Sequence, residues 1–234
     1  MHDVRADLDD LWRASGALSR EMGGRALMFM AATSGEGTSS IAASFSLMTA
    51  ARARRTTWLV DLGFHENKQI KTFNAGFAAD TGRPGRAYDA SLGVLPFFNI
   101  LAEKGALTSP TLRDGKFLAA HQISGTRLLV TRFRHERMDF GQRVSMSARD
   151  DWWKVLRRSA DWIIVDAPAL DVSHDGLKLV SHMDGVVIVV RSDATSLQQV
   201  RMLKSEIEQA GGHVLGVVMN QVSGDSLIAD RLAS

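Results

Sequence analysis

The chain alternates continuous apolar runs with segments in which apolar residues recur at helical spacing. The apolar runs have the length of strands and cover residues 26–32, 56–61, 161–168, 184–191 and 213–220. Runs without a polar alternation are typical of strands whose two faces are both buried, as in parallel sheets. Helical spacing follows over 39–53 and 195–210. The pattern predicts an α/β fold of three layers, a mostly parallel sheet flanked by helices.

The other segments are less regular. Residues 127–133 predict a further strand with a polar side, and residues 149–159 predict a helix. From 62 to 125 the periodicity is weak, and turn signals stand at 82–85 and 109–110. The boundaries of any elements between 62 and 125 are therefore left open.

The first 24 residues form a distinct segment, for which we expect an amphipathic helix over 3–22. Charged residues alternate there with Leu8, Leu11 and Trp12, and Gly23 and Gly24 end the pattern. Such a helix packs either on its own domain or on another subunit, and the sequence does not decide between these two. Residues 1–234 are otherwise expected to form a single domain.

Composition narrows the possible functions. The chain has 234 residues, no cysteine and a net charge of +2. Without cysteine there are no disulfides, cysteine nucleophiles or cysteine metal sites, and the small net charge argues against nucleic-acid binding. No apolar run approaches the roughly 18 residues of a membrane-spanning helix. We expect a cytoplasmic protein that reaches the membrane only through a partner.

Residues 33–40 have the features of a phosphate-binding loop. The strand-type run ends at a turn with Gly35, Glu36 and Gly37, and a hydroxyl cluster then opens the helix over 39–53. Glycines let backbone N–H groups turn toward an anion, and the helix adds its positive N-terminal end. The usual GxxxxGK[ST] pattern has a lysine where this chain has Thr38, and Ala32 replaces its first glycine. The loop is either a nucleotide site without its main cation or a turn that only supports the fold.

Polar residues end three of the predicted strands. Asp61 follows 56–60, Asp166 follows 161–165, and Asn220 ends the last run. Ligands in open parallel sheets bind at the carboxyl ends of strands, which favours a site there. The alternatives are helix capping for the two acids and ordinary turn chemistry for Asn220.

Several other residues are interpreted as structural. Arg191 is either a replacement cation or, more simply, part of a surface ion pair. Trp152 and Trp153 are expected to pack a helix on the sheet. Five of the seven histidines show no metal-ligand spacing and are expected to be ordinary polar residues. They are His65, His121, His135, His174 and His182.

Taken together, the motifs resemble those of bacterial tyrosine kinases, the ATPase partners of capsule and exopolysaccharide chain-length regulators. Residues 34–37 match the PGEGK[ST] loop, 58–61 the Walker A′ strand and 161–168 the Walker B strand. Residues 184–191 and 216–220 match two further strands of that family. The order and spacing also fit the wider group of MinD and ParA ATPases.

The resemblance implies ATP or ADP and Mg²⁺ as ligands. It assigns nucleotide contacts to the loop and to one strand end, namely Gly35, Glu36, Gly37, Thr38, Ser39, Ser40 and Asn220. The metal would be held by Ser39, Asp61 and Asp166, and the same two acids are the candidates for catalysis.

The departures from the family pattern concern catalysis. The family's DxDxR sequence is represented by Asp61, Gly63 and His65, so that only the first acid is present. The family's C-terminal tyrosine cluster is absent, and Tyr88 is the one tyrosine of the chain. The N-terminal ExxRxxR motif is matched in part, by Asp10 and Arg13.

We therefore expect a kinase-like regulatory partner of an inner-membrane polysaccharide co-polymerase or chain-length regulator, with weak or no phosphoryl transfer. A second copy of the chain is a further candidate partner, in a homo-oligomer. The alternatives are a working ATPase or tyrosine autokinase with an atypical loop, and a positioning ATPase of the MinD or ParA type.

Overall fold

The computed structural model describes residues 1–18, 23–101, 111–192 and 194–220. The predicted turn at 109–110 and the chain after Asn220 lie outside these residues. The helices are α1 Asp9–Gly16, α2 Thr38–Arg52, α3 Lys68–Asn74, α4 Asp151–Ser159 and α5 Leu197–Gln209. The strands are β1 Arg25–Met30, β2 Thr56–Asp61, β3 Pro84–Asp89, β4 Phe98–Leu101, β5 Leu118–Ile123, β6 Leu128–Phe133, β7 Arg143–Met146, β8 Ala160–Asp166, β9 Gly185–Arg191 and β10 Val214–Asn220.

Within these residues eight strands form one sheet in the order β10-β9-β1-β8-β2-β6-β5-β3. The pairings from β10 to β6 are parallel, whereas β5 and β3 are antiparallel to their neighbours. Strands β4 and β7 form a separate antiparallel pair. The predicted mostly parallel sheet is therefore confirmed, with an antiparallel edge built from the segment of weak periodicity.

Two apolar clusters cover the two faces of the sheet. Strand β1 shows the division, since Ala26, Met28 and Met30 belong to one cluster while Leu27 and Phe29 belong to the other. Helices α4 and α5 close the first cluster, and α1, α2 and α3 close the second. Side chains alternate between the faces of a strand, so a run that is buried on both faces must be apolar throughout. The three predicted layers are confirmed.

The N-terminal segment differs from the expected helix over 3–22. It forms a 3₁₀ turn at Arg5–Asp7 and then α1, Asp9–Gly16, while residues 19–22 lie outside the described part. Leu8 and Leu11 are buried, and the rings of Trp12 and Trp162 lie 5.5 Å apart. Helix α1 therefore packs on its own chain. Among the described residues, no helix combines the length and apolar character needed to cross a bilayer.

A buried arginine, Arg157, holds the amino-terminal ends of β1 and β9 in place. Arg157, near the end of α4, donates from Nη1 to Asp184 Oδ2 and Gly24 O, both at 2.7 Å, and from Nη2 to His182 O at 2.7 Å. Asp184 Oδ2 also accepts from the Ala26 N–H at 2.7 Å. One guanidinium thus joins α4 to the entries of β1 and β9.

We predict that Arg157→Met destabilises the fold by about 3–5 kcal/mol, because it removes the positive partner of Asp184, which keeps the Ala26 N–H, and the donor to two carbonyls. Arg158→Met is the matched control, since Arg158 is exposed on the same helix, and its effect should stay below about 0.5 kcal/mol. Urea unfolding followed by tryptophan fluorescence measures both. Equal effects of the two substitutions would contradict this role of Arg157.

Candidate functional site

The sheet places the ends of three strands side by side. Strand β8 lies between β1 and β2, and all three run in the same direction. In the registers, Asp166 is paired with Asp61 on one side and with Phe29 on the other. The two acids predicted from the sequence therefore meet at the edge where the loop 33–40 leaves β1.

The loop has the backbone geometry of an anion cradle. Gly35 and Gly37 adopt φ of 88° and 90°, which only glycine adopts without strain. The N–H groups of Ser40 and Ile41 donate to Gly37 O at 2.9 and 3.1 Å as α2 begins. The three N–H groups before them, from Gly37 to Ser39, find no protein acceptor within the described part of the chain. These donors at the start of a helix are available to an anion.

The front of the loop is held by the protein's own carboxylates. Glu36 is 3% exposed, and its Oε1 accepts from the Thr33 N–H at 3.2 Å and from the Thr33 hydroxyl. Asp171, which follows β8, accepts from the N–H of Ser34 at 3.0 Å. Glu36 Oε2 is buried without a partner in the described structure. Two loop N–H groups are thus already bound to anionic groups of this chain.

Asn220 lies against the loop. Its Nδ2 donates to Glu36 O at 2.8 Å, which joins the end of β10 to the turn. A side chain at Gly37 would place its Cβ 1.9 Å from Asn220 Nδ2, so this position requires glycine for space as well as for φ. Asn220 ends β10, as the sequence predicted, and its role in base recognition stays a prediction.

Asp61 and Asp166 are buried together. Asp61 Oδ1 accepts from the Gly63 N–H at 2.8 Å, and its Oδ2 accepts from the Gln69 N–H at 2.9 Å. Burial, followed by the charge of Asp166, raises the pKa of Asp61 to about 7. Burial also raises the pKa of Asp166 to about 6, although hydrogen bonds from Gln69 and Ser39 oppose the shift. Two such carboxylates so close together lack a compensating positive charge.

Gln69, a residue that sequence analysis did not identify, connects the site. From the second position of α3, its Nε2 donates to Asp166 Oδ2 at 2.6 Å and to Ser39 O at 2.9 Å. Sequence alone offered no signal for it, because a glutamine in a polar stretch has many ordinary roles. Its partners come from segments 30 and 97 residues away.

Among the described residues, no strong cation lies against the pair as a lysine in the loop would. The exposed Lys68 exerts the weakest of the influences that lower the pKa of Asp166. Thr38, at the lysine position, is buried as the first residue of α2. Arg191 lies at the end of β9, beside Asn220 in the register with β10. Both interpretations of Arg191, as a replacement cation and as part of a surface ion pair, stay predictions.

Three histidines that sequence analysis treated separately line one cavity of about 490 Å³. The rings of His65 and His135 stack with centroids 5.9 Å apart, and His121 reaches the same cavity from β5. Arg132 also lines it and donates twice to Glu136 at 2.9 Å. Among the described residues, no group of three or more His, Cys, Asp or Glu side chains has the arrangement of a metal site.

The fold class follows from this architecture and from its likeness to solved structures. The VpsO kinase domain aligns with 94% of this chain and 94% of its own length, at 14% identity and a TM-score of 0.59. The cell-division ATPase MinD of Pyrococcus furiosus aligns with 88% of this chain and 79% of its own, at 16% identity and a TM-score of 0.55. The fold is that of P-loop NTPases of the MinD, ParA and bacterial tyrosine kinase type.

Sequence comparison adds relatives of one kind. Tyrosine-protein kinase CpsD of Streptococcus agalactiae is 29% identical over 70 residues, and the match spans 30% of this chain and 31% of that kinase. No model of a known protein family matches the chain. The resemblance to bacterial tyrosine kinases that the motifs indicated is confirmed. Because only about a third of each chain is matched, the activity and partners of those kinases are proposals for this protein.

The raised pKa values predict how stability depends on pH. A carboxyl whose pKa is higher in the folded chain binds its proton more tightly there, so its favourable contribution exists at low pH. That contribution is lost as the pH rises from the ordinary value of 3.8 through the folded values of about 6 and about 7. Stability contributed by the acid pair therefore falls toward neutral and alkaline pH.

We predict that Asp166→Asn is more stable than the wild type by about 1–3 kcal/mol at about pH 8, and that the two are nearly equal at about pH 3, below the ordinary pKa of an aspartate. The neutral amide keeps an acceptor for Gln69 while it removes the buried charge. Denaturant unfolding at the two pH values measures the difference, with the exposed Asp139→Asn as control. A variant that is less stable at the higher pH would contradict the raised pKa of Asp166.

Proposed function

We propose that this protein is a nucleotide-binding regulatory partner of a polysaccharide chain-length regulator, with weak or no phosphoryl transfer. ATP or ADP would lie on the loop 33–40, with its phosphates on the N–H groups from Gly37 to Ser39. The protein would act through the shape that its nucleotide-bound or free site gives to a contact surface, rather than through turnover. This role places it in the cytoplasm, at the inner membrane through its partner.

The main support is that a neutral amide, rather than a lysine, is hydrogen-bonded to the buried carboxyl of Asp166. In phosphoryl transfer, positive charge placed against the transferring group lowers the barrier, and a lysine and a metal ion usually supply it. Here Thr38 replaces the lysine, and the neutral amide of Gln69 is hydrogen-bonded to Asp166. Backbone donors suffice to bind a phosphate, but they do not replace that charge.

The proposed partner rests on the relatives. The matched sequences are named tyrosine-protein kinase CpsD, and the aligned structures include the kinase domain of VpsO. The role of the chain in exopolysaccharide or capsule export is inferred from that kinship. Ser40 is also proposed to contact the nucleotide, and Asn220 is proposed to contact its base.

Two other functions remain to be distinguished from this one. A working ATPase or autokinase would need a cation from another residue or subunit. A positioning ATPase is favoured by the likeness to MinD, although the lysine that begins the loop in that group would fall at Thr33. Localisation that does not depend on any polysaccharide regulator would favour the positioning function.

We predict that Thr38→Lys raises the affinity for ATP by about tenfold to a hundredfold, since it restores one charge-assisted contact. Titration calorimetry with the wild type and the variant measures this, and Thr72→Lys on α3 is the control for a general gain of positive charge. Steady-state ATP hydrolysis by the wild type should stay at background. Equal affinities would contradict the missing-cation account, and hydrolysis abolished by Asp166→Asn would contradict a regulatory role without turnover.

A further inference from the structure

The position of Gln69 concerns the metal that the fold family implies. Magnesium requires oxygen ligands at about 2.0–2.1 Å in a near-octahedral arrangement. Ser39, Asp61 and Asp166 are suitable donors by chemistry. Asp166 Oδ2, however, already accepts from an amide nitrogen at 2.6 Å, which donates hydrogen bonds and does not ligate Mg²⁺. With the side chains as they stand, these residues do not fit an ion bound directly to Oδ2, and Oδ1 is buried without a partner among the described residues.

The orientation of the Gln69 amide is fixed by its surroundings. Its two neighbours, Asp166 Oδ2 and Ser39 O, are both acceptors, so the NH₂ end must face them. Turning the amide over would set its oxygen against a carboxylate and a carbonyl. The Oε1 atom on the other side is buried and has no partner in the described structure. The nitrogen therefore stays between β8 and the start of α2.

The backbone around Gln69 is equally constrained. Its N–H donates to Asp61 Oδ2 at 2.9 Å, so this one residue contacts both acids. Asn67 precedes α3 with φ of 50°, and its side-chain amide bonds Phe133 N and O at 2.7 and 2.8 Å. This pairing anchors the entry of α3 to the end of β6. Gln69 thus has little freedom to withdraw from Asp166.

We propose that Gln69 excludes the divalent cation from this site, because its side-chain amide joins Asp166 to the start of α2 where the ion would otherwise join them. Gln69 is a positioning residue whose presence makes the site independent of Mg²⁺. This specifies the metal requirement of the site named under the proposed function. This proposal rests on the proposed function only for the identity of the nucleotide that would bind there. Its test uses the protein without nucleotide.

The test uses the full chain without nucleotide and Mn²⁺ as the probe. Free Mn²⁺ is followed by electron paramagnetic resonance, and the melting temperature is measured with and without millimolar Mg²⁺. Gln69→Glu replaces the amide by an oxygen ligand of the same shape, and Gln69→Ala removes it. Gln122→Ala is the control, because Gln122 also donates a side-chain hydrogen bond to a carbonyl but lies on β5.

We expect the wild type and the control to show no Mg²⁺-dependent rise in melting temperature. Gln69→Glu should bind Mn²⁺ at least about tenfold more tightly than the wild type and be stabilised by Mg²⁺, because a third carboxylate gains its counter-ion. Gln69→Ala should show the smaller gain of an opened site. If Gln69→Ala does not fold, Gln69→Met takes its place, because methionine keeps a side chain of similar length and lacks both the amide donor and a charge.

Wild-type protein that binds Mn²⁺ as tightly as Gln69→Glu would overturn the proposal. Failure of both variants to bind Mn²⁺ would overturn it as well, since removal of the amide is then not sufficient to admit the ion. Neither result bears on whether ATP binds or whether a polysaccharide regulator is the partner. Those questions are decided by calorimetry and hydrolysis with Thr38→Lys.

Discussion

The site depends on how a carboxylate at the end of a central strand is compensated after burial. Asp166 lies on β8, between β1 and β2, and it is 4% exposed. A charge removed from water must be neutralised, paired or hydrogen-bonded. In this chain the Gln69 amide supplies a hydrogen bond, the pKa of the carboxyl is raised, and its Oδ1 has no partner among the described residues. The loop, α2 and α3 are arranged around that contact.

Side chains of the protein itself hold the loop 33–40 in its shape without a ligand. Glu36 and Asp171 bind N–H groups at its front, and Asn220 holds the carbonyl of Glu36. These contacts support the turn from inside the protein. The donors at the start of α2 remain available, so the geometry is suited to binding a phosphate while offering little positive charge for its transfer. Under the proposed function, conformation rather than catalysis is the property that a partner senses.

Much of the fold was predictable because both faces of the central strands are buried, which forces continuous apolar runs. Asp61, Asp166 and the loop could be placed at strand ends for the same reason, since they end such runs, and their roles stay predictions. The antiparallel strand β3 was missed because it is an exposed edge strand and lacks apolar periodicity. Gln69 and Arg157 were missed because their roles depend on partners that only the folded chain brings near.

A crystal structure of the protein grown with ATP and Mg²⁺ tests the central claim most directly. The account predicts triphosphate oxygens on the N–H groups of the loop, Gln69 Nε2 still within hydrogen-bond distance of Asp166, and no ion in contact with Ser39 Oγ. An ordered Mg²⁺ between Ser39 and Asp166, with a basic side chain on the terminal phosphate, would contradict it.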